Sequence, residues 1–249
     1  MRPFGLGLIA AITFAIASPA LAAPKAPAGI PEVARKAGMA KAPEIIAKSG
    51  VACSLTDARF VGSSDEKKDG VKVTTAFFEV ACSEGLGYII QAKTDDSVPL
   101  TYDCVATSAP AIGPDGKPQK NSLSCLLPGN ANPVAGLQPL IAKMGSSCAI
   151  DQARYIGQSP TTAYYELACK SGAGMVLLAG MPATADRKIT AMSCVAFGQS
   201  GKSCELTTPE QNLEPIKAMM TQSSKTCDIS GTRYVLSTVD GSEYYEIAC

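Results

Sequence analysis

The chain has 249 residues in which 22 Lys plus Arg balance 22 Asp plus Glu, with ten Cys, no Trp and no His. Balanced charge leaves no global field to draw the chain onto nucleic acid or anionic lipid. The lack of His excludes Ser-His-Asp and Cys-His catalysis, c-type haem attachment and His-based proton transfer.

The N-terminus, MRPFGLGLIAAITFAIASPALA, sets Arg2 ahead of an apolar run from Phe4 to Ile16 and closes on Ala20-Leu21-Ala22, the small-x-small spacing that a signal peptidase reads. Residues 1–22 are therefore predicted to be a secretory signal peptide, the mature chain to start at Ala23, and the protein to be periplasmic or secreted. The apolar run is shorter than the ~20 residues of a membrane span, and no later segment approaches that length, so no transmembrane segment is expected in the mature chain. The first cysteine is Cys53, which leaves no acylation site of the bacterial lipoprotein kind behind the signal. Residues 23–42 are rich in Ala and Pro, set Lys25, Arg35, Lys36 and Lys41 against Glu32 alone, and read as a solvated linker.

Beyond the linker the chain repeats itself. CSLTDARFVG then FFEVACSEGLGYII, with Cys104 and Cys125, defines a module over 43–130; CAIDQARYIG then YYELACKSGAGMVLL, with Cys194 and Cys204, defines a second over 131–207. CDISGTRYVL then YYEIAC defines a third over 208–249, which lacks the Gly-rich strand and the last two cysteines of the others and is expected to be incomplete, the chain reading first as a fragment of a longer repeat protein and second as one whose last module is completed by a strand from a partner. In each, ARFVG, ARYIG or TRYVL reads as a strand paired with the FFEVAC-type segment, with Asp240-Gly241 the strongest turn signal. One register serves all three hairpins: Arg59, Arg154 and Arg233 opposite Glu79, Glu166 and Glu246, with Phe60 facing Phe78, Tyr155 facing Tyr165, Ile156 facing Tyr164, and Tyr234 facing Tyr245. A Gly-rich third strand follows in the first two modules.

Ahead of each first cysteine lies a helical stretch: APEIIAKSG, NPVAGLQPLIAKMG and TPEQNLEPIKAMMTQ. The last carries Thr208 as N-cap, Pro209 at the first helical position and Gln211 completing a capping box. Pro139 and Pro215 are expected to kink or restart their helices. The fold class is thus α+β, a tandem repeat of disulfide-bonded modules, each a short helix packed on a small antiparallel sheet.

Export turns an even, regularly spaced set of thiols into a disulfide framework, and the absence of His and of any C-x-x-C pair argues against zinc. Cys104 with Cys125 and Cys194 with Cys204 flank loops almost symmetrically, so each pair can meet across two strands. That leaves Cys53 with Cys82, Cys148 with Cys169 and Cys227 with Cys249.

Candidate chemistry is sparse. Glu79, Glu166 and Glu246 resemble catalytic acids singly, but as three copies of one position they read as exposed structural ion pairs with Arg59, Arg154 and Arg233, each contributing ~0.2–1 kcal/mol. AFGQSGKS (196–203) has Ala196 where a phosphate-binding loop needs Gly, and it reads as a hairpin turn. SSDEKKDG (63–70) and Asp95-Asp96 lack calcium-loop spacing and read as solvated loops. Outside the paired strands only Tyr88, Tyr102 and Phe197 remain to stack on sugars or bases, so no nucleic-acid binding is expected. No catalytic, cofactor or metal site is expected.

These repeats and their cysteines resemble the cysteine-rich tandem-repeat proteins that Gram-negative bacteria export, a resemblance that brings no function with it. The architecture also shows a likeness to the beta-lactamase inhibitory protein, another exported tandem of helix-plus-sheet modules. The resulting expectation is a non-enzymatic exported binding protein that presents its modules to another protein or a cell-envelope component, because repeats multiply surface whereas catalysis needs one unique constellation. The alternatives are a periplasmic enzyme inhibitor of the beta-lactamase inhibitory protein type and a carboxylate-based cell-envelope hydrolase.

Overall fold

The computed structural model describes residues 29–95, 97–112, 114–119, 121–181, 188–239 and 241–249. The expected signal peptide, the linker up to 28, Asp96 and Asp240 lie outside the described residues.

Helix α1 (Glu32–Ser49) begins ten residues before the expected end of the linker, which corrects that reading. Gly38, Ala42, Ile45 and Ser49 are its buried residues, spaced to form one seam on a helix. All of the seam but Ile45 is small because the helix lies directly on the sheet: a Cβ at Gly38 would come 2.3 Å from the Cα of Arg59. Arg35 Nε donates to Asp57 Oδ1 at 2.8 Å and fixes the helix along the first strand. Gly50, at φ 70°, turns the chain out of the helix.

The first sheet is an antiparallel meander, β1 (Leu55–Lys68), β2 (Val71–Cys82), β3 (Tyr88–Lys93) and β4 (Leu100–Asp103) in that order. The acidic SSDEKKDG stretch is mostly β1 rather than a loop, and the chain reverses over Asp69-Gly70, both at positive φ as a two-residue hairpin turn requires. After β4 come the short helix α2 (Cys104–Ser108), a small ribbon of β5 (Ala111–Ile112) and β6 (Pro118–Gln119), and 3₁₀ turns over Pro128–Asn130 and Pro133–Leu137. The second 3₁₀ turn runs into α3 (Gln138–Lys143), so the chain restarts a helix around Pro139.

A second antiparallel meander follows: β7 (Ile150–Gln158), β8 (Thr162–Cys169), β9 (Gly174–Gly180) and β10 (Ile189–Ser193). Then come α4 (Cys194–Gly198), α5 (Pro209–Gln222) with the Thr208–Gln211 capping box formed, and a hairpin of β11 (Gly231–Ser237) and β12 (Glu243–Ala248). Pro215 lies within α5 without dividing it.

The hairpin registers place Arg59 opposite Glu79, Arg154 opposite Glu166 and Arg233 opposite Glu246. The facing rings of Phe60 and Phe78, Tyr155 and Tyr165, and Tyr234 and Tyr245 have centroids 5.5, 5.9 and 6.2 Å apart. Each first strand then shifts by one residue just after its aromatic, so Gly157, not Ile156, faces Tyr164. Such a bulge inserts an unpaired residue and bends the strand, which pairing arithmetic alone does not reveal.

The sheets are not strung out. One core contains Ala42 and Ile45 of α1, Ala58, Phe78, Val80 and Ile90 of the first sheet, Leu137 and Ile141 between the sheets, and Tyr165, Leu167 and Leu177 of the second. Several of these are fully buried, each contributing ~1.5–3 kcal/mol relative to exposure. The β11–β12 hairpin adds no residue to this core. No helix among the described residues is long and apolar enough to cross a membrane.

Candidate functional site

The disulfides join Cys53 to Cys82, Cys104 to Cys125, Cys148 to Cys169, Cys194 to Cys204 and Cys227 to Cys249. Cys104 and Cys194 do not sit on paired strands with their partners; each opens a short helix and holds the returning loop segment against the sheet. The segment from Ala196 likewise completes α4 and turns, rather than forming a hairpin.

What the returning segments deliver is main-chain N–H. Glu79 is 0 % exposed and takes Arg59 Nε on Oε2 at 2.5 Å, Leu127 N on Oε1 at 2.7 Å, Leu126 N on both oxygens at 2.8 and 2.9 Å, and Asn130 Nδ2 on Oε1 at 2.9 Å. Glu166, also 0 % exposed, takes Arg154 Nε on Oε2 at 2.6 Å and the amides of Glu205 and Leu206 on Oε1 at 2.7 and 2.6 Å. In both cases the amides belong to the two residues that directly follow the bridged Cys125 or Cys204, so each disulfide positions the donors that satisfy a buried charge. The reading of these as exposed surface pairs is corrected for Arg59–Glu79 and Arg154–Glu166. It describes only Arg233–Glu246, where the side chains are 67 % and 63 % exposed.

Glycine at the start of the third strand follows from the same approach. A Cβ at Gly87 would meet Asn130 Oδ1 at 2.0 Å, and one at Gly174 would meet Thr207 Oγ1 at 2.4 Å and Cys194 Sγ at 2.8 Å. Glu79 with Cys104 and Cys125, and Glu166 with Cys194 and Cys204, cluster within 4.8 Å. Their sulfurs are committed to disulfides, which withdraws the thiolates a metal would need.

A second set of contacts joins successive sheets. Tyr165 Oη donates to Asp103 Oδ2 at 2.8 Å, while Asp103 Oδ1 caps α2 by accepting Ala106 N at 2.9 Å. One sheet further on, the Tyr245 hydroxyl bonds Ser193 Oγ at 2.7 Å and the Glu243 carboxylate, and Ser193 caps α4. Sequence reading missed Asp103 and Ser193, although an Asp or Ser just before a short apolar helix is an N-cap signal. Burial pushes the Asp103 carboxyl above the usual carboxylate range, partly offset by the Ala106 and Tyr165 bonds, and burial together with the Asp103 charge pushes the Tyr165 hydroxyl up.

Asp103→Asn keeps the helix cap and a hydrogen-bonding partner for Tyr165 while removing the titration. Because native Asp103 binds its proton more tightly than in the unfolded chain, its contribution is greatest below the ordinary Asp value and is lost as pH rises through the raised native value. The urea-unfolding free energy of the parent minus that of the Asn variant is therefore expected to fall across that window and then level. A flat difference would show that Asp103 titrates as it does in water.

Between the sheets opens a cavity of about 520 Å³ lined by Leu86, Tyr88, Leu140, Met144 and Ile189, with Glu84 and Lys143 as the charged side chains among its described lining. Its walls are mainly apolar or main-chain, and every side-chain N or O sealed from solvent among the described residues has a hydrogen-bond partner.

Fold and site together define a disulfide-bridged α+β protein in which two buried glutamates each accept an Arg side chain and two successive main-chain amides. No protein-family model, curated protein or solved structure matches this chain.

Proposed function

We propose that the chain is a non-enzymatic exported binding protein, built as a tandem of disulfide-bonded modules over 43–130, 131–207 and 208–249, periplasmic or secreted in location, whose partner is a protein or cell-envelope component. The observation that carries this reading is the saturation of Glu79 and Glu166. A general acid or base must exchange a proton with substrate or water, whereas these carboxylates are closed off by an Arg and by consecutive amides. The modular reading is supported by the shared register, the shared bulge and the equivalent links from Tyr165 to Asp103 and from Tyr245 to Ser193. Export is supported by the signal-like N-terminus and by the disulfides.

Purified chain from Ala23 onward, incubated with peptidoglycan, casein and chromogenic glycosides, is expected to give no turnover, and the same chain used as bait on an envelope extract is expected to retain a specific component. Turnover that copurifies with the chain would overturn the reading in favour of a hydrolase.

A further inference from the structure

We infer that the cavity between the two sheets binds a small, uncharged, largely apolar molecule through a carbonyl or ether oxygen, with the Tyr88 hydroxyl as the donor. This ligand is separate from the macromolecular partner proposed above.

Tyr88 opens β3, lines the cavity and is only 4 % exposed. Among the described residues its hydroxyl has no hydrogen-bond partner, whereas the Tyr165 hydroxyl bonds Asp103 and the Tyr245 hydroxyl bonds Ser193. No side-chain oxygen sealed from solvent is left unpaired among these residues, so the Tyr88 hydroxyl keeps an opening, and the cavity is the space that this residue borders. The repeat shows that the fold does not ask for the hydroxyl. Tyr88 faces Val80 and Asp103; at the same register of the second sheet Met175 faces Leu167 and Ser193, and a thioether fills the position. A hydroxyl held almost wholly out of water without a partner costs stability, and such a group calls for an explanation beyond packing.

The surroundings specify the ligand. A volume of about 520 Å³ lies within the ~300–1,000 Å³ of small-molecule sites. Leu86, Leu140, Met144 and Ile189 give apolar walls, which suit an apolar body. Burial, together with the Asp103 charge, raises the Tyr88 hydroxyl above the ordinary tyrosine range, so it stays protonated and the ligand atom it meets is an acceptor. Asp103 stands opposite Tyr88 on β4, so a carboxylate placed there would meet a like charge in a dry site. Glu84 and Lys143 are exposed and of opposite sign, and together they favour no net ligand charge.

The test uses the whole oxidised chain from Ala23 and the fluorescent naphthyl ketone prodan, whose emission moves to the blue in apolar surroundings and back toward the red when its carbonyl accepts a hydrogen bond. Titration is expected to show one saturable site with emission to the blue of that in water. Tyr88→Phe keeps the ring, and it is expected to weaken binding about three- to tenfold, the worth of one hydrogen bond, and to move the bound emission further to the blue. Met144→Trp, which narrows the cavity and adds the chain's only Trp, is expected to weaken binding about tenfold or more. A probe with the same naphthalene core and a carboxylate in place of the ketone is expected to bind at least about tenfold more weakly than prodan. No saturable binding, or affinity and bound emission both indifferent to Tyr88→Phe, would overturn the proposal, and so would equal affinity for the carboxylate probe. A Tyr88→Phe variant that melts far below the parent would assign the hydroxyl to the fold and overturn it too. Should Met144→Trp fail to fold, the emission of prodan bound to the Tyr88→Phe variant decides alone.

Discussion

Glu79→Ala and Glu166→Ala are each expected to destabilise the protein by about 3–5 kcal/mol, because each strands a buried or half-buried Arg and takes the acceptor from two consecutive main-chain amides. Glu246→Ala, which removes the same residue from the same register, is expected to cost less than ~1 kcal/mol, since its pair is exposed and screened by water and salt. Urea unfolding of the three variants checks this directly. Near-equal losses would mean that the carboxylates matter for pairing within the hairpin and that the returning segments contribute nothing. Glu166→Gln sits between these cases: it keeps an acceptor but loses the charge opposite Arg154, so the expectation of a surface-sized effect at that position no longer holds.

Reduction without denaturant is expected to abolish the cooperative thermal transition. Bridges closing 29, 21, 21, 10 and 22 residues contribute about 2–4 kcal/mol each against a net stability of only ~5–15 kcal/mol, and some of that contribution is the placement of the amides on Glu79 and Glu166. The losses should be graded. The β11–β12 hairpin, outside the shared core and held by Cys227–Cys249, is expected to lose amide protection first, because an isolated hairpin is marginal in water. A reduced protein that melts unchanged, followed by calorimetry or circular dichroism, would show that the core joining the two sheets suffices alone.

The reach of the sequence ended where the side-chain pattern stopped carrying the information. Hairpin pairing was legible because Arg opposite Glu and aromatic opposite aromatic fix a register through side-chain types, three times over. The capping box of α5 was legible for the same reason, since Thr208, Pro209 and Gln211 each act within one turn. The burial of Glu79 was not. Its partners Leu126 and Leu127 lie 47 and 48 residues away and act through main-chain N–H, which any residue but proline possesses and no sequence pattern marks. The fourth strands, the bulges and the start of α1 at Glu32 escaped because short or small-residue segments show no clear period; Gly38 and Ala42 face the sheet by permitting close approach, not by being strongly apolar. The sequence by itself therefore determined which residues pair locally and which cysteines lie within reach of each other. Tertiary structure alone decided that the two sheets share one core, that the glutamates of two of three chemically identical ion pairs are buried while the third pair is open, and hence that surface chemistry and structural chemistry are divided between copies of the same residues.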